Sequence, residues 1–331
     1  MGEDIIATAK GRTGQCPRVP VLSSHLKPVL DAQLLNSSAL GHSAADRGPN
    51  DEIAQENLDL YHHIFTMMLR GGLYLAPISA DTQRVLDLGT GTGIWAMDFA
   101  DDHPSASVIA TDLSPIQPSL VPPNLEFQID DFCEQWTFSP LSSFDFIHAR
   151  CIYGCVADYP ALYSEVLAHL KPGAWFQHAE ISVVPRCSDG SITGTSLERW
   201  GPLALEAGVK FGKSFGIAED VEDLMTAAGF VNIKKHVFPW PIGPWARDPT
   251  LKSIGEYNRL GWQQGLEGWA LYLFTKFLGV GARDTPPAAL RLVNHASCSG
   301  KSRRSRSSLP RSAESCATAP YTPIKTCKSA P

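Results

Sequence analysis

Three glycines that alternate with threonines, Gly89, Gly91 and Gly93, follow the short apolar run of residues 85–88. Because glycine has no Cβ, a turn built on these residues lets a ligand come close to the backbone. The helical pattern that begins at Ile94 would present its free N–H groups to the same ligand. A dinucleotide site has the pattern G-x-G-x-x-G, which the isoleucine at position 94 does not continue. The tight G-x-G-x-G turn suits S-adenosylmethionine instead, which has an amino-acid end and an adenosine end but no pyrophosphate.

Aspartates stand at or near the ends of the first three predicted strands. Asp87 lies just before the glycine turn, Asp112 ends the second strand, and Asp131 follows the third. Ligands of parallel sheets bind beyond the carboxyl ends of the strands, so we expect the three carboxylates to converge on one ligand. Asp87 would support the ammonium of S-adenosylmethionine through the loop or a water. Asp112 would accept from two ribose hydroxyls, and Asp131 from the adenine amino group.

Three neighbouring residues complete the predicted cofactor site. Thr90 lies within the glycine turn, Leu113 follows Asp112, and Phe132 stands where an apolar side chain can pack on the adenine ring. Taken alone, each carboxylate of the site could equally be a helix cap or a solvated loop residue. The register of all three at strand ends favours cofactor binding.

We expect the residues that act on the methyl acceptor to lie near the ends of the fourth and fifth strands. Methyl transfer is an in-line displacement, and it needs a general base only when the acceptor must lose a proton. Arg150 leaves the fourth strand at the ligand crevice, and His178 shares a strand face with Glu180. We therefore predict Arg150 and His178 as catalytic residues. Further candidates are His62, His63, Tyr153 and Glu180. The tryptophans expected to line the pocket or pack in the core are Trp240, Trp245, Trp262 and Trp269.

The elements that must hold these residues alternate between strands and helices. Apolar runs predict strands at residues 84–88, 107–113, 125–129, 144–149 and 174–184, and a final hairpin at residues 231–235 and 238–242. Helical periodicity predicts helices that begin near residues 51 and 94, and further helices at residues 160–170 and 217–228. This alternation predicts an α/β protein whose mainly parallel sheet is covered by helices on both faces.

Three regions of the chain differ in composition. Residues 1–50 show no sustained period and are predicted to be mostly disordered. Residues 51–280 carry the alternating elements and form the predicted catalytic domain. Residues 281–331 are rich in Ser, Pro and Arg, include the basic run KSRRSRSS, and are predicted to form a disordered tail.

Charge and composition argue against several classes of protein. A net charge of −6 without a basic stripe does not favour a nucleic-acid partner. No run of about 18 apolar residues occurs, so no membrane span is expected, and the first residues lack the apolar segment of a secretory signal. The eight cysteines lack zinc-ligand spacing, so we predict no metal site and expect reduced thiols in the cytoplasm or the nucleus.

Longer stretches of the chain resemble the fungal UMTA-type, LaeA-like class I methyltransferases. These stretches are VLDLGTGTGIWAMDFA, TDLSPIQP, FDFIHAR, LKPGAWFQHAE and AGFVNIKKHVFPWPIGPWARD. The resemblance implies a Rossmann-like fold with a seven-stranded sheet whose last strand is antiparallel. The S-adenosylmethionine contacts that it implies are Asp87, Gly89, Gly91, Asp112 and Asp131.

The chain departs from this family upstream of residues 49–52 and again after Gly279. The expected function is S-adenosylmethionine-dependent methylation of a small molecule in fungal secondary metabolism. The family also contains regulators, so a LaeA-like regulator that acts through nuclear protein partners is the alternative. The two departures leave an inactive copy as a third interpretation.

Overall fold

The structure is a computed structural model that describes residues 51–139, 143–187, 189–265, 271–279, 318–319 and 321–329. The predictions of disorder for residues 1–50 and for residues 281–317 therefore lie outside the described residues. Within the described ranges, none of the helices combines the length and the apolar character that crossing a bilayer requires.

A single large sheet forms the centre of the domain. Its strands are β1 (Arg84–Leu88), β2 (Ser107–Asp112), β3 (Leu125–Ile129), β4 (Phe144–Arg150), β5 (Leu170–Ala179), β7 (Val231–Pro239) and β9 (Tyr321–Lys328). They lie in the order β3-β2-β1-β4-β5-β9-β7. β1 to β5 pair in parallel, whereas β9 runs antiparallel to both of its neighbours. A short β6 (Arg186–Cys187) pairs with β8 (Thr318–Ala319) outside this sheet.

Helices cover both faces of the sheet. Those in the described residues are α1 (Glu52–Met68), α2 (Ile94–Asp102), α3 (Tyr159–His169), α4 (Ser196–Phe211), α5 (Ile217–Ala228), α6 (Pro249–Gly265) and α7 (Leu271–Leu278). On one face, Ile147 of β4 packs in a core with α3 and α5. On the other face, the adjacent Phe146 packs in a core with α2. The seven-stranded, mainly parallel sheet with helices on both faces confirms the predicted fold class.

Three helices that the sequence pattern did not reveal, α4, α6 and α7, build a further layer together with α1. α1 packs on α6, and α4 packs on α7. The missed helices carry residues that weaken a helical signal: Pro202 lies inside α4, and Gly255 and Gly261 interrupt the apolar pattern of α6. Trp200 of α4 and Phe274 of α7 share a small apolar core of their own.

The strand β9 corrects the prediction that residues 281–331 form a disordered tail. Residues 321–328 lie between β5 and the edge strand β7 of the sheet. The strand escapes a search for alternating polarity because Lys325 and Thr326 are buried together with Ile324 and Cys327. The buried Lys325 ammonium donates to the carboxylate of Glu222 on α5, so its charge is paired.

A second correction concerns the predicted hairpin of residues 231–235 and 238–242. One continuous strand, β7, spans Val231–Pro239, and it pairs with β9 instead of folding back on itself. The chain leaves the sheet after Pro239, and the following Trp240 is fully buried against α1. The partner strand that β7 requires therefore comes from the distant residues 321–328.

Candidate cofactor and acceptor site

The glycine turn leaves β1 with its backbone in the left-handed region. The φ angle is +65° at Gly89, +61° at Gly91 and +80° at Gly93, and such values favour glycine. The N–H of Thr90 donates to the carbonyl of Thr111 over 2.9 Å and holds the turn to β2. α2 begins directly after Gly93, and no side chain caps its first turn. The start of α2 thus presents backbone N–H groups at the carboxyl end of the sheet.

Two of the three glycines are needed for packing within the protein. A Cβ on Gly93 would overlap the ring of Phe127, so the absence of a side chain there serves the fold. A Cβ on Gly89 would lie 3.2 Å from the ring of Phe132. This contact places Phe132 directly against the turn, where its sequence position predicts it.

Helix α1 lies over the remaining glycine of the turn, Gly91. A Cβ on Gly91 would meet only Cδ1 of Leu58, at 3.2 Å, and the Leu58 side chain is 42% exposed. Asp59 also attaches α1 to the glycine turn, because its Oδ1 accepts from the hydroxyl of Thr92 over 2.7 Å. Gly91 is therefore bordered by a flexible side chain rather than by backbone, and a ligand has room to reach it.

Asp112, the last residue of β2, is hydrogen-bonded to the glycine turn. Its Oδ2 accepts from the N–H of Gly91 over 2.7 Å, and its Oδ1 accepts from the N–H of Ser114 over 2.9 Å. The amide of Gln117 donates to the carbonyl of Gly91 over 2.7 Å, a contact that sequence reasoning did not assign. Leu113 is half-buried beside this carboxylate. Each carboxylate oxygen has a second lone pair, so Asp112 can also accept from ligand hydroxyls.

Asp87 acts inside the protein, beneath the turn. Its Oδ2 accepts from the hydroxyl of Thr90 over 2.6 Å, and its Oδ1 accepts from Nδ1 of His148 over 2.7 Å. The ring of His148 stacks on Trp95 at 3.7 Å, and burial lowers its pKa, which keeps the imidazole neutral. Nε2 of His148 finds no hydrogen-bond partner among the described residues. Through this network, Asp87 can act on a ligand only by way of the turn.

The segment after β3 carries Asp131 and Phe132, which are predicted to contact adenine. Asp131 is half-buried, and its Oδ1 accepts from the N–H of Cys133 over 2.9 Å. The indole of Trp136 donates to the carbonyl of Phe132 over 2.9 Å and fixes the segment against the core. Asp131 and Phe132 thus lie at the same edge of the sheet as the glycine turn.

Arg150 joins the end of β4 to helix α1. Its Nη2 donates to Nδ1 of His62 over 3.2 Å, and its guanidinium lies 4.8 Å above the ring of Phe65. Because Arg150 is a donor only, Nδ1 of His62 must accept, and Nε2 then donates to Asp98 of α2 over 2.9 Å. The structure therefore places Arg150 and His62 in one network that holds α1 against the cofactor side.

His178 is buried in the core and does not line the pocket that opens beyond the ends of β4 and β5, which argues against its predicted role as a catalytic base. It is fully buried, its Nδ1 accepts from the hydroxyl of Tyr163 over 2.8 Å, and its Nε2 donates to Glu180 over 2.8 Å. The same Glu180 oxygen accepts from the N–H of Ile152 over 2.9 Å. Alternation along β5 shows which residues share a face but not whether that face meets solvent or core.

A pocket opens beyond the carboxyl ends of β4 and β5. The residues that line it are Tyr61, Tyr153, Ile181, Ser182, Val183, Trp200, Asn258, Gly261, Trp262 and Gly265. Burial raises the pKa of the phenols of Tyr61 and Tyr153, so both stay protonated at neutral pH. Tyr153 follows Ile152, whose side chain lies 3.1 Å from the Cβ position of Gly89. The pocket therefore adjoins the glycine turn and is the candidate acceptor site.

The predicted tryptophans divide between core and pocket. Trp262 lines the pocket, whereas Trp240 is fully buried and packs on Tyr61 and Phe65. Trp245 is half-buried and does not line the pocket, and Trp269 lies outside the described residues. Trp200, which sequence reasoning did not single out, completes the pocket wall.

The residues at the turn fit S-adenosylmethionine. Gly91 leaves space for a ligand, the first turn of α2 is uncapped, and Asp112 has acceptor capacity left. A Rossmann-like sheet with these features at its carboxyl edge defines a class I, S-adenosylmethionine-dependent methyltransferase.

Comparison with known proteins gives the family. A family model described as a methyltransferase domain matches residues 60–235. The methyltransferase pytC of Aspergillus terreus is 38% identical over 240 residues, which cover 72% of this chain and 74% of that protein. The secondary metabolism regulator LAE1 of Cochliobolus heterostrophus is 38% identical over 225 residues, covering 66% and 73%. The protein-methionine methyltransferase laeA of Emericella nidulans is 36% identical over 232 residues, covering 69% and 61%.

The chain belongs to the methyltransferase domain family. This finding confirms the resemblance to the fungal LaeA-like methyltransferases, the enzyme class and S-adenosylmethionine as the cofactor. The relatives are fungal proteins, and their names include both a methyltransferase and regulators of secondary metabolism.

Proposed function

We propose that this methyltransferase modifies a small molecule in fungal secondary metabolism. The observation that carries the proposal is the pocket beside the glycine turn, which is walled by side chains from α1, α4 and α6. Pockets with mainly apolar and aromatic walls are typical of small-molecule sites. The similarity to pytC supports the same assignment.

The cofactor is proposed to lie along the edge formed by Gly89, Gly91, Asp112, Asp131 and Phe132. S-adenosylmethionine supplies a methyl group on a sulfonium, so the carbon is already activated. The chain's own contribution is to orient the acceptor in line and to exclude water from it. Helix α1 contributes to both tasks, because it carries Leu58 over the turn and Tyr61 into the pocket.

The mechanism does not assign a general base. His178 is buried between two hydrogen-bond partners, and Arg150 is held by His62 in the contact to α1. The protonated phenols of Tyr61 and Tyr153 can donate hydrogen bonds to an acceptor but are poor bases at neutral pH. Positioning in a dry pocket is therefore proposed as the main source of rate enhancement.

A second candidate function follows from two relatives. LAE1 is named a secondary metabolism regulator, and laeA of Emericella nidulans is named a protein-methionine methyltransferase. On this alternative, the acceptor is a side chain of a protein, either on a partner or on the chain itself. The apolar and aromatic lining of the pocket favours the small molecule.

The deciding experiment replaces the gene in its host with a Gly91→Val allele and profiles the metabolites. Valine would fill the space beside Leu58 and block the cofactor, and an immunoblot verifies that the variant accumulates despite the strain of a left-handed backbone. We expect one methylated product to disappear and a precursor lacking that methyl group to accumulate. A Gly173→Ala allele is the control, because nothing lies within 4 Å of a Cβ at Gly173. Loss of many unrelated metabolites without any such precursor would support the regulator instead.

A further inference from the structure

Gln117 and Asp112 bind the backbone of the same two residues, Gly91 in the glycine turn and Ser114 in the loop after β2. The carboxylate of Asp112 accepts from the N–H of Gly91 over 2.7 Å and from that of Ser114 over 2.9 Å. The amide nitrogen of Gln117 donates to the carbonyl of Gly91 over 2.7 Å and to that of Ser114 over 2.9 Å. Two side chains therefore hold the N–H and the C=O of both residues.

The two side chains are complementary in the hydrogen bonds that they can form. An ionised carboxylate only accepts, so Asp112 binds the two N–H groups. Backbone carbonyls also only accept, so the amide of Gln117 must present its nitrogen to them, and its partners settle its orientation. A glutamate of the same length would place oxygens against both carbonyls. The contact at position 117 therefore requires a donor.

Of the two residues that Gln117 joins, Ser114 is the firmer. It is 6% exposed, and its carbonyl also accepts from the N–H of Ile116 over 2.9 Å. Gly91 has a left-handed backbone with φ +61°, and its Cβ position is bordered by the flexible side chain of Leu58. Gln117 thus ties a glycine that is free to move to a loop that is buried.

The same tie sets the direction of the Asp112 carboxylate. Each of its oxygens already accepts from the backbone, so the lone pairs that remain for a ligand point in directions fixed by Gly91 and Ser114. A shift of Gly91 would move one of these two donors and turn the carboxylate with it. A site whose groups are held in place before the ligand arrives loses less entropy on binding.

We propose that Gln117 is a positioning residue for S-adenosylmethionine, which holds Gly91 and Asp112 in the arrangement that the cofactor requires. It acts through these two residues and does not touch the reacting atoms. This inference rests on the proposed function, because Gly91 and Asp112 belong to the proposed cofactor edge. Losing the donor at position 117 should therefore weaken cofactor binding in a protein that is still folded.

The test measures binding of S-adenosylhomocysteine to the full chain by calorimetry. Gln117→Met removes the donor without adding charge, and we expect the Kd to rise about tenfold. Gln117→Glu keeps the shape of the side chain but sets a carboxylate against two carbonyls, so the Kd at about pH 8 should rise further. Gln117→Met keeps the proposal testable if Gln117→Glu does not fold.

Asn124 provides a matched control at the opposite edge of the sheet. Like Gln117 it is half-buried, and its amide nitrogen donates to the carbonyls of Ala100, His103 and Ala106 over 2.9–3.1 Å. Asn124→Asp makes the same exchange of amide for carboxylate just before β3. It should lower the Tm as Gln117→Glu does, but leave the Kd of the folded protein within about twofold of the wild type, because distant sites act independently.

A pH series separates loss of the donor from general disturbance of the loop. The new carboxyl of Gln117→Glu faces two carbonyls and lies near Asp112, so its pKa should exceed the usual value of about 4.3. Once protonated, it can again donate one hydrogen bond. The ratio of the variant's Kd to the wild-type Kd should therefore fall between about pH 8 and about pH 5.5, and the wild-type series corrects for the titration of Asp112.

Wild-type affinity in a folded Gln117→Met or Gln117→Glu protein would overturn the proposal. An equal loss of affinity in Asn124→Asp would also overturn it, because the effect would then come from instability. A Kd ratio of Gln117→Glu that does not change with pH would contradict the role of the donor. These results leave the cofactor edge intact, whereas absence of binding by the wild-type chain contradicts the proposed function itself.

Discussion

Arg150 donates from Nη2 to Nδ1 of His62 over 3.2 Å, and this hydrogen bond connects the end of β4 to helix α1. The same helix places Leu58 over Gly91 and Tyr61 in the pocket wall. The contact at the end of β4 is therefore one of those that position both the helix over the proposed cofactor site and one wall of the candidate acceptor pocket. Arg150 is best described as a positioning residue for α1.

Removing this contact should loosen α1 and weaken cofactor binding. Arg150→Met keeps an unbranched apolar stem but lacks the guanidinium, so it loses the contact over Phe65 and cannot donate to His62. We expect the Kd for S-adenosylmethionine to rise by about tenfold, since a hydrogen bond to a charged group contributes about 1.5–3 kcal/mol. Calorimetry measures the affinity, and amide hydrogen exchange should become faster in residues 52–68. Arg199→Met, on the exposed face of α4, is the control. Unchanged exchange in α1 would contradict the assignment.

The backbone at Gly91 allows a matched test of its role in cofactor binding. Gly91 and Gly173 have similar φ angles, +61° and +77°, but only Gly91 has a neighbour within 4 Å of its Cβ position. Alanine at either position should cost about 1–2 kcal/mol of stability because of the left-handed backbone. Only Gly91→Ala should also weaken S-adenosylmethionine binding, because its methyl group enters the ligand space. Equal affinities of the two variants would remove Gly91 from the proposed site.

Glu180 should stabilise the fold by holding the segment after β4. Its Oε1 accepts from both the N–H of Ile152 and Nε2 of His178. Glu180→Leu leaves two buried donors unpaired, and we expect a loss of about 2–4 kcal/mol in the free energy of unfolding. Glu180→Gln retains an acceptor oxygen and should lose less. Denaturant titration compares the two, and a Glu180→Gln protein as unstable as Glu180→Leu would show that the charge matters rather than the acceptor.

Acid should destabilise the protein through His148. Burial lowers the pKa of this histidine in the folded state, whereas in the unfolded chain it titrates near its usual value of about 6.5. Below that pH the unfolded state binds more protons than the folded state, so stability is lost as the pH falls. We expect His148→Gln to reduce the difference in Tm between about pH 7.5 and about pH 5.5. The same change at the half-exposed His236 should leave that difference as in the wild type.

The strand β9 should be essential for the fold. Ile324 is fully buried against Phe65 and Trp240, and Ile324→Ala should cost about 2–5 kcal/mol. Val209→Ala on the exposed surface of α4 should change stability by no more than about 0.5 kcal/mol. A chain that stops at residue 317 lacks the strand between β5 and β7, and we expect it not to unfold cooperatively. Cooperative unfolding and cofactor binding by that shorter chain would contradict the observed pairing.

The position of the glycine turn and the aspartates at one edge of the sheet could be predicted, because the sequence patterns that indicate it are local. The glycine turn, Asp112 and Asp131 each follow an apolar strand, and a strand in a parallel sheet delivers its carboxyl end to one edge. Gln117 lies in the same TDLSPIQP stretch, yet its role depends on reaching back to Gly91 across the turn. No spacing rule encodes that contact.

The acceptor side could not be predicted in the same way, because it is made by tertiary packing. Asn258 lies on a helix with several glycines and little apolar periodicity, and its burial depends on the carbonyl groups of Trp240 and Pro241, to which its amide donates. His178 was misassigned because its sequence position does not reveal that Tyr163 closes over it. Burial of polar residues at such points depends on partners distant in sequence.

The position of β9 between β5 and β7 also sets an order of folding. β7 contacts the rest of the sheet through β9, and the chain makes β9 only after β7, α6 and α7 have been made. During synthesis, the parallel strands β1 to β5 can assemble first, while β5 exposes an unpaired edge and β7 has no strand to pair with. Pairing between residues so far apart in sequence is slow, so the exposed edge of β5 is the segment most in need of protection from aggregation until residues 321–328 arrive.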